Sequence, residues 1–257
     1  MAAAEALSVE GVWKGFSCDG RWTGVLEDVS FDVGRGEVVA IVGGRLRGKT
    51  TLLRVAAGIE RPDKGEVSLG SRRLAVLRDR AWARLLGHEI VWVSRDGPRL
   101  EIEVSKFVGW PQALHGHGRR GSEELAARAL ERVGAKECIG RRWAELSNWQ
   151  KVLVGLARGF AGSPHLVIID DLLDALSGRD TEQASDLLRS LIEESEPRCG
   201  VLMSASEEDS AIFADQEYRL TRGGGLKLLS GRPSGGAEVK PFPEPAESRD
   251  SPGVGCP

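Results

Sequence analysis

The sequence predicts an α/β protein built on a buried sheet, and two stretches carry that prediction. Val38-Val-Ala-Ile-Val42 is an uninterrupted apolar, β-branched run that reads as a buried strand, and Thr51-Leu-Leu-Arg-Val-Ala-Ala57 follows shortly after with helix-forming composition. A second apolar run, Leu166-Val-Ile-Ile169, ends in Asp170-Asp171. A carboxylate at the carboxyl end of a parallel strand is where an open α/β sheet puts its ligand groups.

Between the first strand and its helix lies Gly43-Gly44-Arg45-Leu46-Arg47-Gly48-Lys49-Thr50. This is the G-x-x-x-x-G-K-[ST] spacing, and its chemistry follows from the shape of a polyphosphate. Glycines let the loop wrap closely, successive backbone N–H groups form an inward-facing nest, and the helix that follows aims its positive end at the anion. Lys49 supplies a mobile charge, and the Thr50 hydroxyl is suited to Mg²⁺. Gly43 to Thr51 therefore reads as a nucleotide-phosphate site of the P-loop type.

Composition narrows the remaining classes. A chain of 257 residues, 41% hydrophobic and 28% charged, is long enough for a full core and ordinary for a globular protein. A net charge of −3 gives no electrostatic case for nucleic acid. Cys18, Cys138, Cys199 and Cys256 form no C-x-x-C pair, which argues against zinc and a disulfide framework and fits a reducing cytosol. Met1-Ala-Ala-Ala-Glu-Ala-Leu7 lacks a basic, then apolar, signal pattern. No stretch has the roughly 18–20 uninterrupted apolar residues of a membrane span, so any membrane role is expected to run through a partner.

Residues 7–33 alternate like strands and suggest a small antiparallel sheet, with turns at Ser17–Gly20 and Gly34–Gly36. Phe16 near the end of the first strand is either core or a stacking surface for a base. Glu66–Leu69 and Glu89–Val93 read as strands, and Arg72 to Leu86 as partly helical. Ser122 to Val133 reads as a helix with Ser122 as N-cap and Gly134 as its stop, following a surface loop at Gly116–Gly121. His115 and His117 have no further ligand near them in sequence. Gln150–Gly162 and Thr181–Glu194 read as helices, the latter capped by Asp180, with a strand at Val201–Met203. From about residue 230 the chain is rich in Gly, Pro, Ser and Glu and is expected to be disordered.

Taken in order, these landmarks resemble the ATP-binding subunits of ABC transporters over residues 7–229. Glu145-Leu-Ser-Asn-Trp-Gln150 occupies the place of that family's L-S-G-G-Q signature, and Leu166–Asp171 that of its Walker B strand. Asp174-Ala-Leu-Ser177 sits at the D-loop, and Met203-Ser-Ala-Ser-Glu207 at the switch strand. The Arg142–Ser147 stretch is similar to the lipoprotein-release and macrolide-export branch. The resemblance implies a P-loop NTPase with a RecA-like core, an antiparallel β-subdomain and a helical signature subdomain around residues 95–160. It implies ATP and Mg²⁺ as ligands, with Phe16 stacking on the base, Gly43, Gly44, Arg45, Arg47, Gly48, Lys49, Thr50 and Thr51 on the phosphates, and Thr50 and Asp170 toward the metal, the latter through water. Ser147 and Gln150 would meet the nucleotide of a second subunit. A permease on a separate chain and a cytoplasmic position beneath the plasma membrane are implied as well.

The departures bear on chemistry. The carboxylate after Asp170 is Asp171 where the family has Glu, one methylene shorter, and a misplacement of about 1 Å can cost on the order of 10²-fold in rate. The switch histidine is Ser206, the glutamine after the Trp92-Val93 strand is Arg95, the D-loop Asp is Ser177, the signature glycines are Asn148 and Trp149, and the middle loop glycine is Leu46. Retention of the phosphate-gripping residues beside altered water-activating positions predicts weak or partner-dependent hydrolysis. The second cassette would be a copy of this chain or, as these losses favour, an intact heterodimer partner, with Trp149 limiting closure. The alternatives are a non-hydrolysing ATP-dependent clamp or regulator, and a small-molecule kinase, which leaves the signature unexplained.

Overall fold

The computed structural model describes residues 5–18, 21–77, 81–82, 85–98, 101–206 and 214–231. The tail from residue 232, expected to be disordered, lies outside the described residues, as does Glu207 of the switch segment.

Two sheets organise the chain. β1 (Glu5–Cys18) and β2 (Arg21–Gly34) form an antiparallel pair extended by β4 (Lys64–Leu69) and β5 (Arg72–Arg73) in the order β2-β1-β4-β5. The second sheet contains β3 (Val38–Val42), β6 (Ile90–Ser94), β7 (Leu166–Asp170), β8 (Gly200–Ala205), β9 (Gln216–Leu220) and β10 (Leu226–Ser230). Its order is β10-β9-β3-β8-β7-β6, parallel except for the β9–β10 edge pair.

Strand periodicity explains why β3 and β7 read as unbroken apolar runs. Val38, Ala40 and Val42 join one buried cluster with Val167 and Ile169, while Val39 and Ile41 join a second with Leu166 and Ile168. Alternate side chains face opposite sides of a sheet, and both sides are covered. On the first side lie α2 (Val104–Gln112), α3 (Gly118–Arg132), α4 (Asn148–Gly159) and α5 (Arg179–Glu193). On the second lie α1 (Lys49–Ala56) and the antiparallel sheet.

Local details differ from the sequence reading in informative ways. Ser122 is not a cap: α3 begins at Gly118, after an irregular helical turn at 113–117, and the buried Ser122 hydroxyl donates to the Arg119 carbonyl. The expected surface loop is thus mostly helix, supported by Arg119–Glu123 and Arg120–Glu124 pairs one turn apart. Asp180 sits inside the first turn of α5, whose N-cap is Gly178. Arg72–Leu86 opens as strand and a short 3₁₀ turn at Leu74–Val76. Gly134 does end its helix, with φ of 75°.

Candidate functional site

The phosphate loop bridges the C-terminal end of β3 and the start of α1. Gly48 has φ of 95°, and a Cβ there would lie 2.5 Å from Val25 Cγ1, so both conformation and space demand glycine. α1 begins without a side-chain cap, which leaves its first-turn N–H groups for another acceptor. Lys49 is buried, and its Nζ donates to the Gly43 carbonyl at 2.5 Å, closing the loop on itself. Arg45 is exposed, while the Arg47 side chain folds back so that its Nε would be 3.9 Å from a Cβ on Gly44. Leu46 stands 93% exposed with φ of 60°, so the loop keeps a left-handed turn where the family has glycine.

The sheet brings β7 beside this loop. Thr50 Oγ1 donates to Asp170 Oδ1 at 3.2 Å, although the two are far apart in sequence. Asp170 and Asp171 also meet β8. The Ser204 hydroxyl lies 2.9 Å from Asp170 Oδ1 and 3.0 Å from Asp171 Oδ1, and it accepts the Asp171 N–H at 2.8 Å. Burial pushes the Asp170 carboxyl up from its ordinary range. The Ser204 hydrogen bond opposes that, the Asp171 charge adds to it, and the Thr50 hydrogen bond and Arg54 charge oppose it. Asp171 itself adopts φ of 50°.

A cleft of about 490 Å³ opens over this point, lined by Thr50, Arg54, Arg95, Asp96, Asp170 and Asp171 among others. Sequence positions 50, 95, 170 and 171 thus meet in one space. The exposed Arg95 is anchored there by its backbone N–H on the Asp170 carbonyl at 3.3 Å. Ser206, past the end of β8, is half-buried and its N–H donates to Asp174 Oδ1 at 3.1 Å.

Two predicted groups lie elsewhere. Phe16 is 43% exposed on the β1–β2 hairpin, with Lys14 Nζ 5.3 Å from its ring centre. The core alternative for Phe16 is therefore set aside. Ser147 and Gln150 stand at the start of α4, which contributes no lining residue to the cleft. They form a reciprocal capping box: Ser147 Oγ accepts the Gln150 N–H at 3.2 Å, and Gln150 Oε1 accepts the Ser147 N–H at 3.1 Å. Arg141 Nη1 also donates to Gln150 Oε1 at 3.0 Å. Asn148 is exposed, but Trp149 is half-buried against the helical core. Trp149, expected to limit closure, is partly buried and also packs against the helical core of its own subunit.

Sequence reasoning did not single out Ser204. The signal was a hydroxyl inside an otherwise apolar strand, since a fully buried polar side chain needs partners.

Strand, phosphate loop, helix and a parallel strand two places along the sheet that ends in carboxylates define a P-loop NTPase. Comparison with known proteins refines this. The ABC transporter family pattern matches residues 26–174. The chain is 33% identical over 192 residues to the lipoprotein-releasing system ATP-binding protein LolD of Cereibacter sphaeroides, covering 74% of this chain and 85% of LolD. It is also 33% identical over 192 residues to the methionine import ATP-binding protein MetN of Rhizobium meliloti, with 74% of this chain but 53% of MetN covered. In shape it matches the dimeric structure of MJ0796, a bacterial ABC transporter cassette, with a TM-score of 0.77 at 21% identity, over 88% of this chain and 100% of that one. The chain belongs to the ABC transporter family and has the ABC cassette fold. Among the described residues no helix is long and apolar enough to cross a membrane.

Proposed function

We propose that this chain is the ATP-binding subunit of an ABC transporter, spanning residues 1–229. It would bind Mg-ATP at a head-to-tail interface with a second cassette and couple closure to a separate permease at the cytoplasmic face of the membrane. Hydrolysis at its own loop would be weak or partner-dependent. The observation that carries this reading is the junction of α1, β7 and β8. Thr50 at the end of the phosphate loop, Asp170 and Arg95 share one cleft there, while Asp171, the nearest group to the role of water activation, is bonded to Ser204.

The donor set suits both ligands. Thr50 and Asp170 offer oxygen atoms of the hard kind that Mg²⁺ takes, Thr50 directly and Asp170 through water. Bound there, the ion would neutralise phosphate charge. The uncapped first turn of α1, with Gly44, Arg45, Gly48, Lys49 and Thr51 around it, suits the phosphates. For that contact Lys49 must exchange the Gly43 carbonyl for a phosphate oxygen. Phe16 offers an exposed face to a base. Ser147 and Gln150, pre-ordered by their capping box, would present the start of α4 to the partner's nucleotide. Ser206 replaces an imidazole with a short neutral hydroxyl, and Arg95 replaces an amide with a cation; Arg95 adds charge for holding phosphate, and neither side chain orients water as the group it replaces would.

The Asp171–Ser204 bond also favours a second reading, a clamp that closes on ATP without turnover. ATP binding and phosphate release by the purified full chain, alone and with a second cassette and permease, separate the two. Lys49→Ala should abolish ATP binding in either case. Near-normal affinity in that variant would sink the phosphate-loop assignment.

A further inference from the structure

We propose that Ser204 is a positioning residue that restrains Asp171, and that this restraint sets the chain toward holding nucleotide rather than turning it over. The inference rests on the functional reading above and adds a residue to it.

The geometry is a closed ring. The Asp171 N–H donates to Ser204 Oγ at 2.8 Å, and the same hydroxyl lies 3.0 Å from Asp171 Oδ1. One residue's backbone and carboxylate are thus both fastened to a single oxygen on β8. Ser204 is fully buried, in a strand whose every residue is buried, so it has little freedom to follow Asp171 outward. Asp171 has φ of 50°, a region that is costly for a residue with a side chain. The ring supplies a reason for that conformation: it puts the N–H and the carboxylate on the same side, toward β8.

The consequence is geometric. An oxygen held on the sheet floor is drawn away from the cleft that Asp171 lines. The hydroxyl carries one proton but faces two carboxylates, with Asp170 Oδ1 at 2.9 Å. Thr50 gives Asp170 a second donor at 3.2 Å. Among the described contacts Asp171 Oδ1 has Ser204 as its donor. A cation beside Thr50 and Asp170 would compensate Asp170 further and leave the Ser204 proton to Asp171.

The test compares Ser204→Ala and Ser204→Thr in the full chain. Without nucleotide, amide hydrogen exchange at Asp171 should speed up in Ser204→Ala by about tenfold, roughly the worth of one such bond, and return toward the original rate in Ser204→Thr. With a second cassette and permease, Ser204→Ala should raise kcat by about the same factor at unchanged ATP affinity, and the increase should vanish when Asp171→Ala is added. Unaltered Asp171 exchange overturns the tether. Unaltered kcat, or a gain that persists with Asp171→Ala, overturns the restraint. Failure of the nucleotide reading shows differently, as ATP affinity insensitive to Lys49→Ala, while the exchange measurement still decides the tether.

Discussion

Leu46→Gly is expected to stabilise this protein. Leu46 holds φ of 60° at the tip of the phosphate loop. The left-handed region costs an L-residue about 1–2 kcal/mol because Cβ crowds the following carbonyl; glycine carries no such cost. The Leu46 side chain is 93% exposed, so its removal forfeits almost no buried surface. Against the relief stands the greater freedom of glycine in the unfolded chain, about 0.4–1 kcal/mol. The balance is a gain of about 0.5–1 kcal/mol. For a domain of this size each kcal/mol moves Tm by about 2–4 °C, so the expected rise is about 1–4 °C, measured calorimetrically without nucleotide. Leu46→Ala is the control: it removes the exposed side chain but keeps Cβ, and should give no rise. A Leu46→Gly chain that melts at or below the original, or an equal gain in Leu46→Ala, would refute the argument from backbone strain.

Two further outcomes follow from burial. Trp149→Gly removes a half-buried ring from the core around α4; at about half the cost of deleting a fully buried aromatic, near 2 kcal/mol, it should lower Tm by about 4–8 °C without raising ATP turnover, and turnover that rises at unchanged Tm would return Trp149 to the subunit interface. Burial pushes the Cys199 thiol up from 9.0 to about 11; because the unfolded thiol loses its proton first, the folded state binds more protons above pH 9, so stability should fall between about pH 9 and 11 by about 2–3 kcal/mol. Melting temperatures across that range, compared with Cys199→Ala, check the sign, and identical slopes would refute it.

Much of this architecture was legible because local chemistry dictates it. Val38–Val42 is a buried strand wherever it stands, since an unbroken apolar run needs cover on both faces. Gly48 and Lys49 announce an anion site through spacing alone. Where the reading erred, neighbours decided. Ser122 has the right chemistry for a cap, yet the helix runs back past it to Gly118, and Asp180 was overtaken in the same way by Gly178. Caps are a local preference worth about 1 kcal/mol, which packing readily overrides.

By itself, then, the sequence determined the class of protein and the grip on phosphate, because strand, glycine loop, lysine and helix are contiguous and their geometry follows from short-range sterics. Through the family resemblance it also marked Asp171, Ser206 and Arg95 as the positions where altered chemistry is expected. Only the tertiary structure decided how those departures are arranged. Parallel pairing of β7 with β8 brings Ser204 against Asp171 across 33 positions of sequence, and the β3–β8 pairing sets the phosphate loop beside them. Packing turned Trp149 partly inward and left Phe16 outside. Such contacts depend on which strands become neighbours, and that is settled by the burial of two whole faces of a sheet rather than by any one stretch of chain.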